Sequence, residues 1–261
     1  MKFLLDAACG CDKGKVRGNN EDNLFFSGVT LEENNDGLPE PLARTVEDKT
    51  VCFGVFDGMG GADDGQTASF LAARSFLLSC DDIDQDDTLT EDFFIDAIER
   101  MNRIVYEEAD RRGSNMGCTA VMIGFSDSGI IVCNVGDSRA YRCRDGRLTQ
   151  ITMDHCERLM SGAARKPRLT QCIGLRPERR VVEPYTAVSR PGKGDIWLLC
   201  SDGLTDMVPE GEIAAILREE ENAAAAVTRL IDRALANGGV DNTTVIVIRV
   251  TDCEEIDPED L

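Results

Sequence analysis

Two stretches of this 261-residue chain read as strands buried on both faces, and each stops at an aspartate followed by glycine. Val51-Cys52-Phe53-Gly54-Val55-Phe56 is almost unbroken in apolar residues and runs into Asp57-Gly58-Met59-Gly60-Gly61. Trp197-Leu198-Leu199-Cys200 runs into Ser201-Asp202-Gly203. A third run, Thr243 to Val250 with three valines and two isoleucines, is instead preceded by an aspartate, Asp241. Continuous apolar runs of this kind belong in sheets covered on both sides, not in sheets with one face in water. The chain must therefore supply covering layers, and it must place charge at the ends of its strands.

The covering layers are legible as amphipathic helices. One is expected over 64–79, with Phe70, Ala73 and Leu77 along a face, and one over 91–111, where Phe94, Ala97, Ile98, Met101 and Val105 recur at helical spacing. Thr90 is placed to cap the second, and Glu91 and Asp92 suit its positive end. Two more helices are expected over 211–219 and 223–236. Between them, 118–125, 129–135 and 139–144 are short β-runs joined by turn residues, an antiparallel meander. A short first strand, Leu4 to Ala8, precedes a polar stretch and the apolar run Asn23 to Phe26. The Pro-, Gly- and acid-rich residues 28–50 read as a surface excursion and 152–171 as a mobile loop. The whole predicts an α+β fold of layered, mainly antiparallel sheets, one domain over 1–250 and an acidic tail over 251–261.

Composition removes several classes of function. Acidic residues number 48 against 28 basic ones, a formal net charge of −20. That field argues against nucleic acid and anionic membranes as partners, suits divalent cations, and favours a monomer. The eleven cysteines are odd in number and scattered, and His155 is the sole histidine, so neither a disulfide framework nor a zinc site is indicated. A reducing cytoplasm is the natural compartment. Asp6 interrupts the short apolar run of MKFLLDAACG, and no run of roughly 18 apolar residues is present to cross a bilayer.

Asp57, Asp202 and Asp241 stand at the ends of separate strands, where a rigid core holds charged groups at its rim. A glycine after the first two leaves a carbonyl open to close approach, and oxygen ligands of this kind suit Mg²⁺ or Mn²⁺. Each Asp-Gly taken singly is equally readable as a turn. Glu21-Asp22 with Arg17 offers a carboxylate pair and a guanidinium fork for phosphate, or simply a solvated loop with local ion pairs. Asp137 after Gly136 is a ligand or a turn residue. Gly60-Gly61 offers a glycine pair for phosphate, but neither nucleotide-binding glycine motif is present. Nucleophiles are scarce: no GxSxG accompanies His155, no glycine-rich cradle follows Cys9 or Cys11, and Ser138 and Ser201 read as structural.

Taken together, RGNNED at 17–22, VFDGMGG at 55–61, MGCTA at 116–120, NVGDSRAY at 134–141, LLCSDGLTD at 198–206 and GGVDNTTVIVI at 238–248 resemble, in order, the metal-dependent protein serine/threonine phosphatases of type 2C, especially compact bacterial ones. The resemblance covers about residues 10 to 250. It implies a four-layer α-β-β-α sandwich with two Mn²⁺ or Mg²⁺ ions at one end of the sheets and a possible weaker third. It implies that Asp57 bridges both ions, that the Gly58 carbonyl binds the second, and that Asp202 and Asp241 bind the first. Glu21 and Asp22 would act through metal-held water, and Asp137 with Asp202 would form the third site. Arg17 would hold the substrate phosphate, so that Arg17, Asp57 and Asp202 carry catalysis by a metal-activated water without a phosphoenzyme.

Its implied partners are phosphorylated proteins and a cognate serine/threonine kinase. Two departures stand out. Met59 follows Asp57-Gly58 where animal members often carry histidine, and a thioether cannot donate a proton. The flap at 156–169 is short and carries Arg165, Lys166 and Arg168, which could meet phosphorylated surface or be ordinary solvated loop. Two other readings remain open at this point: a catalytically silent phosphopeptide-binding relative, and a phosphatase restricted to one regulator or to a small phosphate ester.

Overall fold

The apolar run from Val51 becomes a central strand of one of two stacked sheets in the computed structural model, which describes residues 2–59, 64–83, 88–157, 167–178 and 180–254. In chain order the first strands are β1 (Lys2–Asp12), β2 (Asp22–Phe26), β3 (Val29–Thr30), β4 (Leu42–Asp48) and β5 (Val51–Met59). Helices α1 (Gly65–Asp81) and α2 (Glu91–Arg112) follow. The meander is β6 (Gly117–Cys118), β7 (Ala120–Ser126), β8 (Gly129–Val135), β9 (Arg139–Arg144) and β10 (Arg147–Gln150). After β11 (Tyr185–Ser189) and β12 (Ile196–Cys200) come α3 (Asp202–Thr205), α4 (Glu210–Glu219), α5 (Ala223–Ala236) and β13 (Thr243–Glu254).

One sheet has the order β10-β9-β12-β13-β1-β4, the other β11-β8-β7-β5-β2-β3 with β6 attached to β5, and the strand pairs are antiparallel. The space between the sheets is filled by Phe3, Leu5, Leu24, Phe26, Phe53, Phe125, Trp197 and Ile246 among others. Helices α1 and α2 cover the outer face of the β5 sheet through Ala72, Phe76, Phe94 and Met101. Helices α4 and α5 cover the other sheet through Ile213, Leu217, Val227 and Leu230. This is the expected four-layer arrangement, with the apolar runs at 51–56 and 196–200 buried on both faces as their composition requires.

Helix α2 begins where the sequence places it. The Thr90 hydroxyl accepts from the Phe93 amide at 3.3 Å, and the five stripe residues are buried. Gly113, at φ 67°, ends the helix in a left-handed cap that a β-carbon would strain. In α1 the buried face is Ala68, Ala72, Ala73 and Phe76, while Phe70 and Leu77 are only half-buried. The small residues pack closest to the sheet because they let the helix axis approach it.

Other expectations need correction. Residues 28–50 are not wholly an excursion: Leu42–Asp48 pair with β1, with Val46 turned into the core and Arg44 and Thr45 exposed, the pattern of an edge strand. The first strand runs well beyond Leu4–Ala8, so Cys9 and Cys11 are buried in the sandwich instead of lying near a mobile start. The last strand continues past Val250 to Glu254 against Lys2–Leu4, across a register shift between Leu4 and Leu5. The loop expected over 152–171 is described only at its two ends, which meet in a bridge between Cys156 and Leu169. Arg165 and Lys166 lie outside the described residues, as do Gly60 and Gly61. Among the described residues no helix is long and apolar enough to cross a membrane.

Candidate metal and phosphate site

Antiparallel pairing brings five carboxylates to one end of the sandwich. Asp22 opens β2 and Asp57 nearly closes β5, and the two are directly opposed in register. Cys200, the end of β12, pairs with Val245 of β13 and with Arg139 of β9. Asp202 lies two residues after Cys200, and Asp241 and Asp137 lie two residues before the first residues of β13 and β9, so they arrive at the same rim. The electrostatics register the gathering. Burial pushes the Asp57 carboxyl well above its ordinary range, and Asp202, Asp22, Asp137 and Asp241 push it further. Asp22, 1% exposed, is raised to about 7 mainly by burial, with Asp202 and Asp241 adding to it.

Hydroxyl groups hold this cluster in place: Ser201 and Ser138, which the sequence reads as structural, and Thr119 and Thr244, which it does not single out. Ser201 and Thr244 donate to the same Asp22 oxygen at 2.8 and 2.7 Å, and the Thr244 amide donates to the Ser201 hydroxyl at 3.0 Å. Thr119 clamps Asp57 from both sides. Its amide donates to the Asp57 carbonyl at 2.8 Å, its hydroxyl accepts the Asp57 amide at 3.2 Å, and that hydroxyl lies 2.6 Å from Ser138. Asn242 ties the Arg17 loop to β13. Its side chain donates to the carbonyls of Lys13 and Asn19 at 2.8 and 3.0 Å and accepts the Glu21 amide at 2.9 Å. The signal for these residues was polarity inside an apolar context: Thr119, Thr244 and Asn242 are buried, and buried polar groups are there to bond something.

Backbone space is equally specified. The Gly58 amide donates to the Glu21 carbonyl at 3.0 Å. A β-carbon at Gly58 would lie 2.2 Å from the Gly65 carbonyl oxygen and 2.5 Å from that of Glu21. Glu21 in turn occupies the space a Gly65 side chain would need, which sets its carboxylate against the first turn of α1, a favourable place for negative charge.

The expected residues Arg17, Glu21, Asp22, Asp57, Gly58, Asp137, Asp202 and Asp241 thus all lie at this rim, but not all in the relation expected. Arg17 donates to Asp241 at 2.6 Å, so the phosphate-binding candidate rests on a metal-binding candidate. Asp22 is held by hydroxyls beneath the surface instead of facing open solvent. Among the described residues no three ligand side chains are drawn into a closed cage. The donor set nonetheless fits a hard divalent cation: the oxygen donors gather around a half-buried Asp57 whose carboxyl the neighbouring carboxylates push up, and a cation would relieve that repulsion. His155 does not supply an alternative base. Its Nδ1 accepts the Gly136 amide at 3.2 Å and burial holds its pKa down.

Comparisons with known proteins agree with this geometry. The family profile for protein phosphatase 2C matches residues 13–161. The serine/threonine phosphatase stp of Listeria monocytogenes is 33% identical over 260 residues, covering 91% of this chain and 92% of the relative. The protein phosphatase PstP of Mycobacterium tuberculosis is 33% identical over 97% of this chain, which spans 46% of that longer relative. A crystal structure of Mycobacterium tuberculosis PstP superposes with a TM-score of 0.77 at 28% identity, covering 96% of this chain and all of that one. The catalytic domain of PstP in complex with two manganese ions superposes with a TM-score of 0.76 at 31% identity over 96% of this chain.

Proposed function

This chain belongs to the protein phosphatase 2C family and is a metal-dependent protein serine/threonine phosphatase, and we propose how its residues divide the work. Asp57, Asp202, Asp241 and the Gly58 carbonyl would hold two divalent cations, Mn²⁺ or Mg²⁺, with Asp137 contributing to a weaker third. When bound, such ions lower the pKa of a coordinated water and offset charge on the phosphoryl oxygens. What supports this set is the convergence of Asp22, Asp137, Asp202 and Asp241 on Asp57, whose carboxyl they push further above its ordinary range. The manganese complex of the related catalytic domain supports the choice of metal.

The protein's own groups then have defined tasks. Arg17, released from Asp241, offers two parallel N–H donors to the phosphate and neutralises charge as the bond to the Ser or Thr oxygen breaks. Glu21 and Asp22 orient water at the rim. Asp22 keeps its direction through Ser201 and Thr244, while Thr119 fixes the backbone from which the Asp57 carboxylate projects. Met59, with no proton to give, leaves protonation of the departing alkoxide to solvent. The three strand-end aspartates being present favours an active enzyme over a silent binding relative. Residues 1–250 would form the catalytic domain, acting as a monomer in the cytoplasm against a cognate kinase.

The test is hydrolysis of a phosphothreonine peptide by metal-stripped protein titrated with Mn²⁺ or Mg²⁺, beside Asp57→Asn. Phosphate release that requires metal and is lost in the variant is expected. A folded, metal-loaded wild type that releases none would refute the assignment.

A further inference from the structure

The ladder that ends β5 has a second neighbour besides the acid cluster. Gly58 pairs with Cys118 and Met59 with Gly117, while the next residue, Thr119, clamps Asp57. On this ladder rests a cavity of about 180 Å³ walled by Met59, Ala109, Met116, Cys172 and Leu175, with the exposed Asn115 among its lining residues. The wall opposite β6 is built in place. The Asn102 side chain accepts the amides of Gly174 and Leu175, both at 2.8 Å, and donates to the Leu175 carbonyl at 2.9 Å. Ile173 and Cys118 exchange backbone hydrogen bonds at 2.8 and 3.2 Å. A cavity so braced needs no ordering before it accepts a group.

We propose that this cavity is a specificity subsite that receives one apolar side chain of the phosphoprotein substrate, two residues from the phosphorylated serine or threonine. Three observations select the occupant. The volume suits one Leu, Met or Phe side chain, since a cavity of about 150 Å³ lined by similar residues takes benzene. Met59 lies two residues along β5 from Asp57, about 7 Å, which matches two residues of extended peptide at roughly 3.3 Å each. The lining is dominated by methyl, methylene and thioether groups, and its one cation, Arg176, is already paired with Asp110, so nothing there compensates an acidic side chain on a chain of net charge −20.

The subsite rests on the phosphatase reading, and the two fail separately in the following experiment. The full chain, loaded with Mn²⁺, is assayed on phosphothreonine peptides carrying Leu, Met, Phe, Ala or Asp two residues before or after the phosphoresidue, and on a small aryl phosphate. Wild type is expected to favour Leu, Met or Phe over Ala and Asp at one of the two positions by about tenfold in kcat/KM. Asn115→Trp, which adds bulk at the lining, is expected to level that preference. Leu175→Ala, which widens the cavity, is expected to move it towards Phe. Both should leave aryl phosphate turnover unchanged and retain the wild-type circular dichroism spectrum. A wild type indifferent to both positions overturns the subsite without reference to any variant. Variants that slow aryl phosphate as much as peptide overturn it too, because the cavity would then act through the wall it shares with Asp57. Absence of aryl phosphate hydrolysis in metal-loaded wild type would overturn the phosphatase reading and the subsite with it.

Discussion

Replacing Asp22 by asparagine should stabilise the metal-free protein at neutral pH while damaging the enzyme. In the folded chain Asp22 is 1% exposed, receives two hydroxyl donors, and has its pKa raised from 3.8 to about 7. The folded state therefore keeps a proton that the unfolded state gives up between about pH 4 and pH 7. Stability contributed by this group is full below about pH 4 and is lost as pH rises through about 7. A difference of roughly three pH units at about 1.4 kcal/mol each makes the loss about 4 kcal/mol. Asparagine cannot ionise, so it avoids the loss, but its amide matches two hydroxyl donors imperfectly at a cost of about 1 kcal/mol.

Metal-free Asp22→Asn should thus be slightly less stable than wild type at pH 4 and about 3 kcal/mol more stable at pH 8. Urea unfolding in EDTA across that range measures it, followed by the fluorescence of Trp197, the single tryptophan, which is fully buried. Saturating Mn²⁺ should reverse the order at pH 8, because the cation binds the charged wild-type site and stabilises only the folded form. A stability difference between wild type and variant that stays constant from pH 4 to pH 8 would refute a buried, charge-penalised Asp22.

Three further outcomes follow from the same geometry. Arg17→Ala should lower kcat/KM on phosphopeptides by roughly 100-fold, the loss of a bidentate charged donor. It should bind Mn²⁺ no more weakly than wild type in calorimetry, because its removal frees Asp241. Gly58→Ala forces a methyl group to within 2.2 Å of a backbone oxygen and should cost about 3 kcal/mol or more in urea unfolding. Of the eleven cysteines only Cys80, Cys156, Cys172 and Cys253 are partly exposed, so a thiol reagent should modify about four groups before unfolding and the rest only afterwards.

Where local pattern and tertiary role coincide, the sequence was sufficient. The apolar runs ending at Phe56 and Cys200 are central strands because nothing else buries them, and Thr90 with the 94-97-98-101-105 stripe defines α2 without reference to any neighbour. β4 was hidden because an edge strand needs only one buried side: Val46 does that work while the flanking Pro, Gly and acidic residues read as loop. β10 and β11, short and at sheet edges, were hidden for the same reason.

The candidate site divides similarly. Asp57 and Asp202 announce themselves by interrupting apolar runs. The clamps Thr119, Ser201, Thr244 and Asn242 act across gaps of many residues, Thr244 on Asp22 being 222 positions away, and no local period reports such a contact. The ion pair between Arg17 and Asp241, 224 positions apart, is likewise a product of the fold alone.

The carboxylates gathered at the end of the sandwich are proposed to hold the divalent cations of the phosphatase. Anomalous diffraction from crystals grown with Mn²⁺ tests that role most directly. Manganese peaks bounded by Asp57, Asp202, Asp241 and the Gly58 carbonyl are expected, with Arg17 turned away from Asp241. Manganese bound elsewhere, with the Arg17–Asp241 pair intact and Asp57 unligated, would contradict it.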